Sequence, residues 1–129
     1  MSGIRVAADE VSWETWDDPN LAARSPVRWR LIFSGRRTPT QAISMGLSEL
    51  APSGVLPLHH HASAEIYHVV DGTGVAEVEG VAHELSAGIS LFIPPNARHR
   101  TINTGPAPLR VLFVFPTDSF EEVVYHFDE

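Results

Sequence analysis

Cysteine and lysine are both missing from these 129 residues. Without cysteine there are no disulfides, no thiolate nucleophiles and no thiolate metal ligands. Without lysine the chain has no side-chain amine for Schiff-base chemistry. Every basic residue is therefore an arginine, and 9 of them face 16 acidic residues for a net charge of −7. An acidic chain with no basic run is a poor partner for nucleic acid, whose binding rests on neutralising phosphates. The one adjacent basic pair, Arg36-Arg37, reads as a solvated loop. No apolar run approaches the about 20 residues that span a bilayer. Residues 1–10 also lack the apolar core of a signal peptide. The expectation is a cytoplasmic protein with no membrane partner, and any site in it must be built from imidazole, carboxylate and phenol.

Ten prolines and nine glycines punctuate the chain as turns do in an all-β protein. Residues 1–24 show no steady alternation. Trp13 and Trp16 stand there among Asp17, Asp18, Pro19 and Asn20, which suggests an arm that docks on its own barrel or on a neighbouring subunit.

From residue 25 onward the pattern is of one domain. A short apolar run at 29–33 is followed by alternation at 42–50, where Ile43, Met45 and Leu47 interleave with Ser44, Gly46 and Ser48. Residues 75–78 and 81–85 flank Glu79-Gly80, a tight hairpin turn. Residues 109–115 are apolar on both parities apart from Arg110, which predicts a strand covered on both faces. In the tail, Ser119 and Glu122 would suit a capping box. Val123-Val124-Tyr125 favours a strand instead, and the expectation is a turn followed by a strand. Nine or ten short strands with no long helix indicate a barrel or a sandwich.

The chemistry gathers in Gly54-x4-His59-x-His61-x3-Glu65-x6-Gly72. In an extended chain alternate side chains share a face. His59, His61, Glu65 and Tyr67 share one parity, so a regular strand would point all four the same way. Two imidazoles and a carboxylate make most of a divalent-metal site, and His99 is the candidate fourth ligand. His60 has the opposite parity and is expected to face outward. His68, His83 and His126 read as ordinary surface or core residues. An inward glutamate with neither metal nor partner would be expensive to bury.

Together with Gly88-x5-Pro94-x-Asn96-x2-His99-x3-Asn103, this pattern resembles the two signature motifs of the cupin superfamily. The first motif is one residue short between its glycine and histidine. In the second, Asn96 replaces the usual glycine, and asparagine is the non-glycine residue that best tolerates a left-handed backbone. The resemblance implies a small antiparallel β-barrel of jelly-roll (double-stranded β-helix) type. It also implies one divalent transition metal, held by His59, His61, Glu65 and His99. An N/O ligand set suits Fe, Mn, Ni, Zn or Cu without choosing among them.

Residues 27–127 further resemble the short single-domain cupin lyases that cleave dimethylsulfoniopropionate. The likeness rests on Val27-Arg28-Trp29, on the Ala-Glu-Ile-Tyr that ends at Tyr67, and on Phe115-Pro116-Thr117-Asp118 followed by residues 122–125. It implies Tyr67 as the base, Tyr125 as a second tyrosine lining the pocket, and a small carboxylate-bearing substrate. The ion would hold the substrate carboxylate, and Trp29 and Tyr125 would offer aromatic faces to the sulfonium. The rival readings are an iron-dependent dioxygenase and a non-catalytic small-molecule-binding cupin. A homodimer is expected, because barrels of this length leave apolar outer strand faces.

Overall fold

Two five-stranded antiparallel sheets carry the chain, and the side chains between them form the core. The computed structural model describes residues 2–128. Met1 and Glu129, the ends of the expected arm and barrel, lie outside the described residues. The strands in chain order are β1 (Val27–Phe33), β2 (Ser44–Leu50), β3 (Val55–His60), β4 (Glu65–Asp71) and β5 (Thr73–Val78). They continue with β6 (Val81–Ser86), β7 (Ser90–Ile93), β8 (His99–Asn103), β9 (Leu109–Phe115) and β10 (His126–Phe127). One sheet has the order β1-β2-β9-β4-β7 and the other β10-β3-β8-β5-β6. Consecutive strands β3 and β4 therefore lie in different sheets. This is the jelly-roll barrel that the strand pattern and the motifs implied.

Local chemistry accounts for the tight corners. Glu79 and Gly80 both adopt positive φ, 48° and 78°, as a two-residue hairpin between paired Val78 and Val81 requires. Asn96 holds φ 62°, so the left-handed turn survives with asparagine in place of glycine.

At the start of β2 the small residues Ser44 and Gly46 are buried, while Ile43, just before the strand, is 59% exposed and Met45 is half-buried. The reason is Phe113 on the neighbouring strand. A Cβ on Gly46 would sit 2.2 Å from its ring, so glycine is what lets that aromatic enter the core.

Strand β9 departs from the expectation of cover on both faces. Leu109, Val111, Phe113 and Phe115 are buried, but Leu112 and Val114 are only half-buried. They lie on the outer face of their sheet. Cross-strand neighbours there include Met45 opposite Val114, Val114 opposite Ile66, and Ile66 opposite Phe92. Ile66 is 45% and Phe92 62% exposed.

The arm contains one 3-10 turn (Ala8–Glu10) and one helix, α1 (Pro19–Arg24). Asp18 caps α1 by accepting from the Asn20 amide, with proline in the first turn. Glu14 and Trp29 exchange backbone hydrogen bonds of 2.8 and 2.9 Å, which seats the arm on the open edge of β1. Trp13 packs under the guanidinium groups of Arg28 and Arg30, 4.0 and 4.3 Å from its ring centre. Trp16 turns inward. Both tryptophans of the arm thus dock on their own barrel.

The tail turns at Glu121-Glu122, where the Val123 amide donates to the Phe120 carbonyl, but residues 123–125 are not part of a strand. Its strand is β10, two residues later, where His126 and Phe127 pair with His60 and His59. Glu122 accepts from the Asp118 amide, and no helical turn forms. Among the described residues no helix is long and apolar enough to cross a membrane.

Candidate metal centre and pocket

Strand register brings the histidines together. His59, near the end of β3, is the direct partner of His99 at the start of β8. His61 follows β3 by one residue, and Glu65 opens β4 in the opposite sheet. The expectation that the two imidazoles and the carboxylate converge from one strand is therefore corrected. The chain leaves its sheet after His60, and Glu65 enters the core from across the barrel. The Asn96 turn is bonded into this corner, its amide donating to the His61 carbonyl at 2.9 Å. The second motif is thereby anchored on the first.

All four side chains are sealed from solvent, with exposures of 1% for each histidine and 3% for Glu65. Each histidine Nδ1 lies against a backbone carbonyl: His59 on Pro57 at 2.7 Å, His61 on Ser63 at 2.9 Å and His99 on Ala97 at 2.9 Å. A carbonyl only accepts, so each Nδ1 carries a proton, and in the neutral imidazole Nε2 is the atom that presents a lone pair. Such outer hydrogen bonds fix the tautomer and aim the ring in metal-binding histidines.

Ligand atoms of the three imidazoles lie within 4.8 Å of one another. The Glu65 Oε1 sits 3.1 Å from His61 Nε2 and 3.5 Å from His99 Nε2. His99 Nε2 is buried, and that carboxylate oxygen, at 3.5 Å, does not reach it as a well-formed hydrogen bond. Three imidazoles and a carboxylate gathered in one buried place, with His99 Nε2 unpaired, fit a divalent cation.

The electrostatics treat His59 and His61 differently. Burial, with the neighbouring His99 charge, lowers His59 to about 3, so this imidazole is neutral at physiological pH and free to ligate. Burial works against a charged His61, but the hydrogen bond and charge of Glu65 outweigh it and raise its pKa. Burial alone would raise Glu65, yet contact with His61 and His99 holds the carboxyl below its ordinary range.

Tyr67 enters from β4 two residues after Glu65, 6% exposed, and its hydroxyl accepts from Thr101 Oγ1 at 3.5 Å. Burial, then the Glu65 charge, push its pKa up. Tyr125 stacks on His59, rings 5.1 Å apart at 15°. Burial and the Glu65 charge push its phenol well above the ordinary range too. Both tyrosines, with Glu65, border one cavity of about 50 Å³. A void of that size is worth about two water molecules. The larger surface depression, about 810 Å³ around Phe33, Ile43 and Met45, has no titratable lining residue and lies away from the histidines.

The remaining histidines lie outside the ligand cluster, His60 as its parity suggested. His60 faces away from the ligands, stacked on His126 at 5.0 Å and 3.4 Å from Asp128. His68 is exposed and bonded to Ser90. Phe120 and Phe127 went unread in the sequence, although the tail's aromatic density was their signal. Phe120 lines the cavity and Phe127 lies 5.4 Å from the His59 ring. Trp16, expected to dock, also lines the cavity, 4.9 Å from Trp29 and 5.7 Å from Tyr125.

Residues 46–115 match the family description of a cupin domain, more than half of the chain. The chain belongs to the cupin family. This cupin is 37% identical over 122 residues to dimethylsulfoniopropionate lyase DddW of Ruegeria pomeroyi, covering 95% of this chain and 78% of that protein. Among solved structures, the polyketide cyclase RemF from Streptomyces resistomycificus superposes with a TM-score of 0.79 at 19% identity. That match covers 98% of this cupin and 86% of RemF. A chain from the crystal structures of the DMSP lyases RdDddP and RnDddQII gives a TM-score of 0.74 at 18% identity. It covers 92% of this cupin and 63% of its counterpart. At those identities the structural likeness speaks for the fold.

Proposed function

We propose that this cupin is a metal-dependent lyase that cleaves dimethylsulfoniopropionate, or a close β-substituted carboxylate, by base-catalysed β-elimination. The observation that carries the reading is a buried phenol, Tyr67, bordering the same small cavity as Glu65 of the histidine–carboxylate cluster. Likeness to DddW over nearly the whole chain supports the substrate class.

His59, His61, Glu65 and His99 would hold one divalent ion. Bound there, it would supply Lewis acidity to a substrate oxygen and positive charge beside the phenol. Tyr67 takes the α-proton onto its phenolate oxygen. The C–H electron pair becomes the new C=C bond, the β-carbon–sulfur bond breaks, and its electrons leave on dimethyl sulfide. Acrylate remains, and the phenol returns its proton to solvent. Tyr125 lines the pocket and positions the substrate.

Purified protein reconstituted separately with Fe, Mn, Ni, Zn and Cu should release dimethyl sulfide from dimethylsulfoniopropionate with at least one metal. Oxygen uptake without sulfide release would overturn the lyase in favour of the dioxygenase.

The same reading includes a homodimer. Its support is the half-exposed apolar ladder of Met45, Val114, Ile66 and Phe92 on the outer sheet face. A dimer mass in solution that becomes a monomer mass in Phe92→Glu is the expected result. A wild-type monomer at micromolar concentration would end the dimer and leave the barrel untouched.

A further inference from the structure

Thr101 lies on β8 two residues after His99, and Tyr67 lies on β4 two residues after Glu65. The two strands belong to opposite sheets, so side chains that meet between them cross the barrel. They meet twice. His99 Nε2 is 3.5 Å from Glu65 Oε1, and Thr101 Oγ1 donates to the Tyr67 hydroxyl at 3.5 Å. The first of these rungs belongs to the metal centre, but the second has no part in it. Thr101 is 5% exposed and lines a void of about 20 Å³ with Val27, Leu50, Leu56, Leu109 and Val111. A hydroxyl buried in such a wall is costly unless it is bonded, and valine has the same shape without that cost. Ser48, which also lines the void, donates instead to the Val111 carbonyl at 3.0 Å. Among the described residues the Thr101 hydroxyl has one hydrogen-bond partner, the Tyr67 oxygen. Packing leaves this threonine unexplained, and the phenol is what remains.

We infer that Thr101 is a positioning residue, whose hydroxyl holds the Tyr67 oxygen in place relative to the metal ligands. The inference rests on the proposed reading that Tyr67 is the base. Tyr67 lines both the void it shares with Thr101 and the cavity it shares with Glu65, whereas Thr101 lines only the void. Thr101 therefore reaches the phenol from outside the cavity beside Glu65 and would not touch the substrate. A small swing of the ring moves its far end, and misplacing a reacting atom by about 1 Å can cost ~10²-fold in rate. One bond from β8 restrains that swing. The same strand carries His99, so a ligand and the base are both referred to β8. A length of 3.5 Å suits a resting site, where catalytic hydrogen bonds are often long and tighten once substrate is bound. Hydrogen bonds to an ionised acceptor are also shorter and stronger than neutral ones. Thr101 keeps its own proton throughout. It occupies one lone pair of the phenolate and leaves another for the α-proton.

The test sets two variants against each other. Thr101→Val keeps the shape and loses the donor, while Thr101→Ser keeps the donor and loses a methyl group. With the metal that supports dimethyl sulfide release, Thr101→Val should lower kcat about tenfold, with KM and metal content little changed. Thr101→Ser should restore most of that loss. Packing alone gives the opposite order: valine melts no lower and turns over normally, and serine is the poorer variant. That order would overturn the inference. A second readout needs no turnover. Tyrosine isotope-labelled at its ζ-carbon gives two signals, from Tyr67 and Tyr125, assigned by the Tyr→Phe variants. In the Zn-loaded protein Thr101→Val should move the Tyr67 signal and leave that of Tyr125, and Thr101→Ser should leave both in place. A Tyr67 signal unmoved in Thr101→Val would also overturn the inference. If the valine variant does not fold, Thr101→Ala lacks the same hydroxyl and replaces it in both measurements. Sulfide release indifferent to Thr101→Val would sink the positioning role and leave the lyase. A Tyr67 signal that answers to Thr101→Val in a protein releasing no sulfide would sink the lyase and leave the contact.

Discussion

His59 and His99 are direct register partners across β3 and β8, their ring centroids 4.1 Å apart. One backbone pairing therefore places two candidate ligands. The ladder beneath them is what aims both rings. Alanine at either position, or at His61 or Glu65, should cut bound metal sharply, while His60→Ala should keep it, since His60 faces Asp128 and His126. Elemental analysis of the purified variants reads this directly. Full metal retention in His99→Ala would remove that residue from the ligand set.

Gly46 connects the outer strands to the pocket. A Cβ there would meet the Phe113 ring at 2.2 Å and the Arg30 carbonyl at 2.9 Å. The ring is buried in the core, and the Arg30 carbonyl is backbone that cannot swing aside. Gly46→Ala should lower stability by about 1–3 kcal/mol, the usual cost of overpacking. A melting temperature equal to that of the unaltered protein would show that Phe113 can shift aside.

How far the sequence reaches is visible at Glu65 and Tyr67. Alternation put His59 and His61 on one face, and both are buried there although β3 is irregular between Leu56 and His59 and ends at His60. It also grouped Glu65 and Tyr67 with them, although those two arrive from β4 in the opposite sheet. Parity follows a strand and carries no information about a chain that crosses the barrel. That both sets meet in the core is a consequence of jelly-roll closure, which the motif resemblance implied and periodicity could not. Asn96 was legible because a left-handed turn restricts residue choice locally. Phe120, Phe127 and Trp16 were not, since their places depend on tail and arm folding over the His59 end of the barrel. The outer face of β9 was misread for a related reason. An apolar run signals cover, but not whether the same chain supplies it.

Both tyrosines of the chain have phenols pushed up by burial and by the Glu65 carboxylate. A phenol with a raised folded pKa favours the neutral form in the native state. Above the ordinary value near 10, the unfolded chain releases protons that the native chain retains. Stability then falls as pH rises. In the metal-free protein, phenolate absorbance should stay flat through pH 10 and then appear together with loss of near-ultraviolet circular dichroism. A gradual rise in absorbance with the fold intact would mean that at least one ring is open to solvent.

The same upward push sharpens the question of whether Tyr67 acts as a base. A phenol held neutral by burial and a nearby carboxylate is a poor proton acceptor, so the role depends on a cation beside it reversing that push. Tyr67→Phe isolates the point because it removes one oxygen. The hydroxyl's bond to Thr101 is long, 3.5 Å, so its loss should cost no more than about 1 kcal/mol of stability. Metal content should be unchanged, and turnover should drop by ~10²-fold or more, as expected when general-base help is lost. Tyr125→Phe serves as the control. Its ring still stacks on His59, and losing its hydroxyl should raise KM more than it lowers kcat. Melting temperature, metal content and turnover measured together on the two variants separate a base from a core tyrosine. Near-normal turnover in Tyr67→Phe would end the base assignment and move the dioxygenase ahead of the lyase.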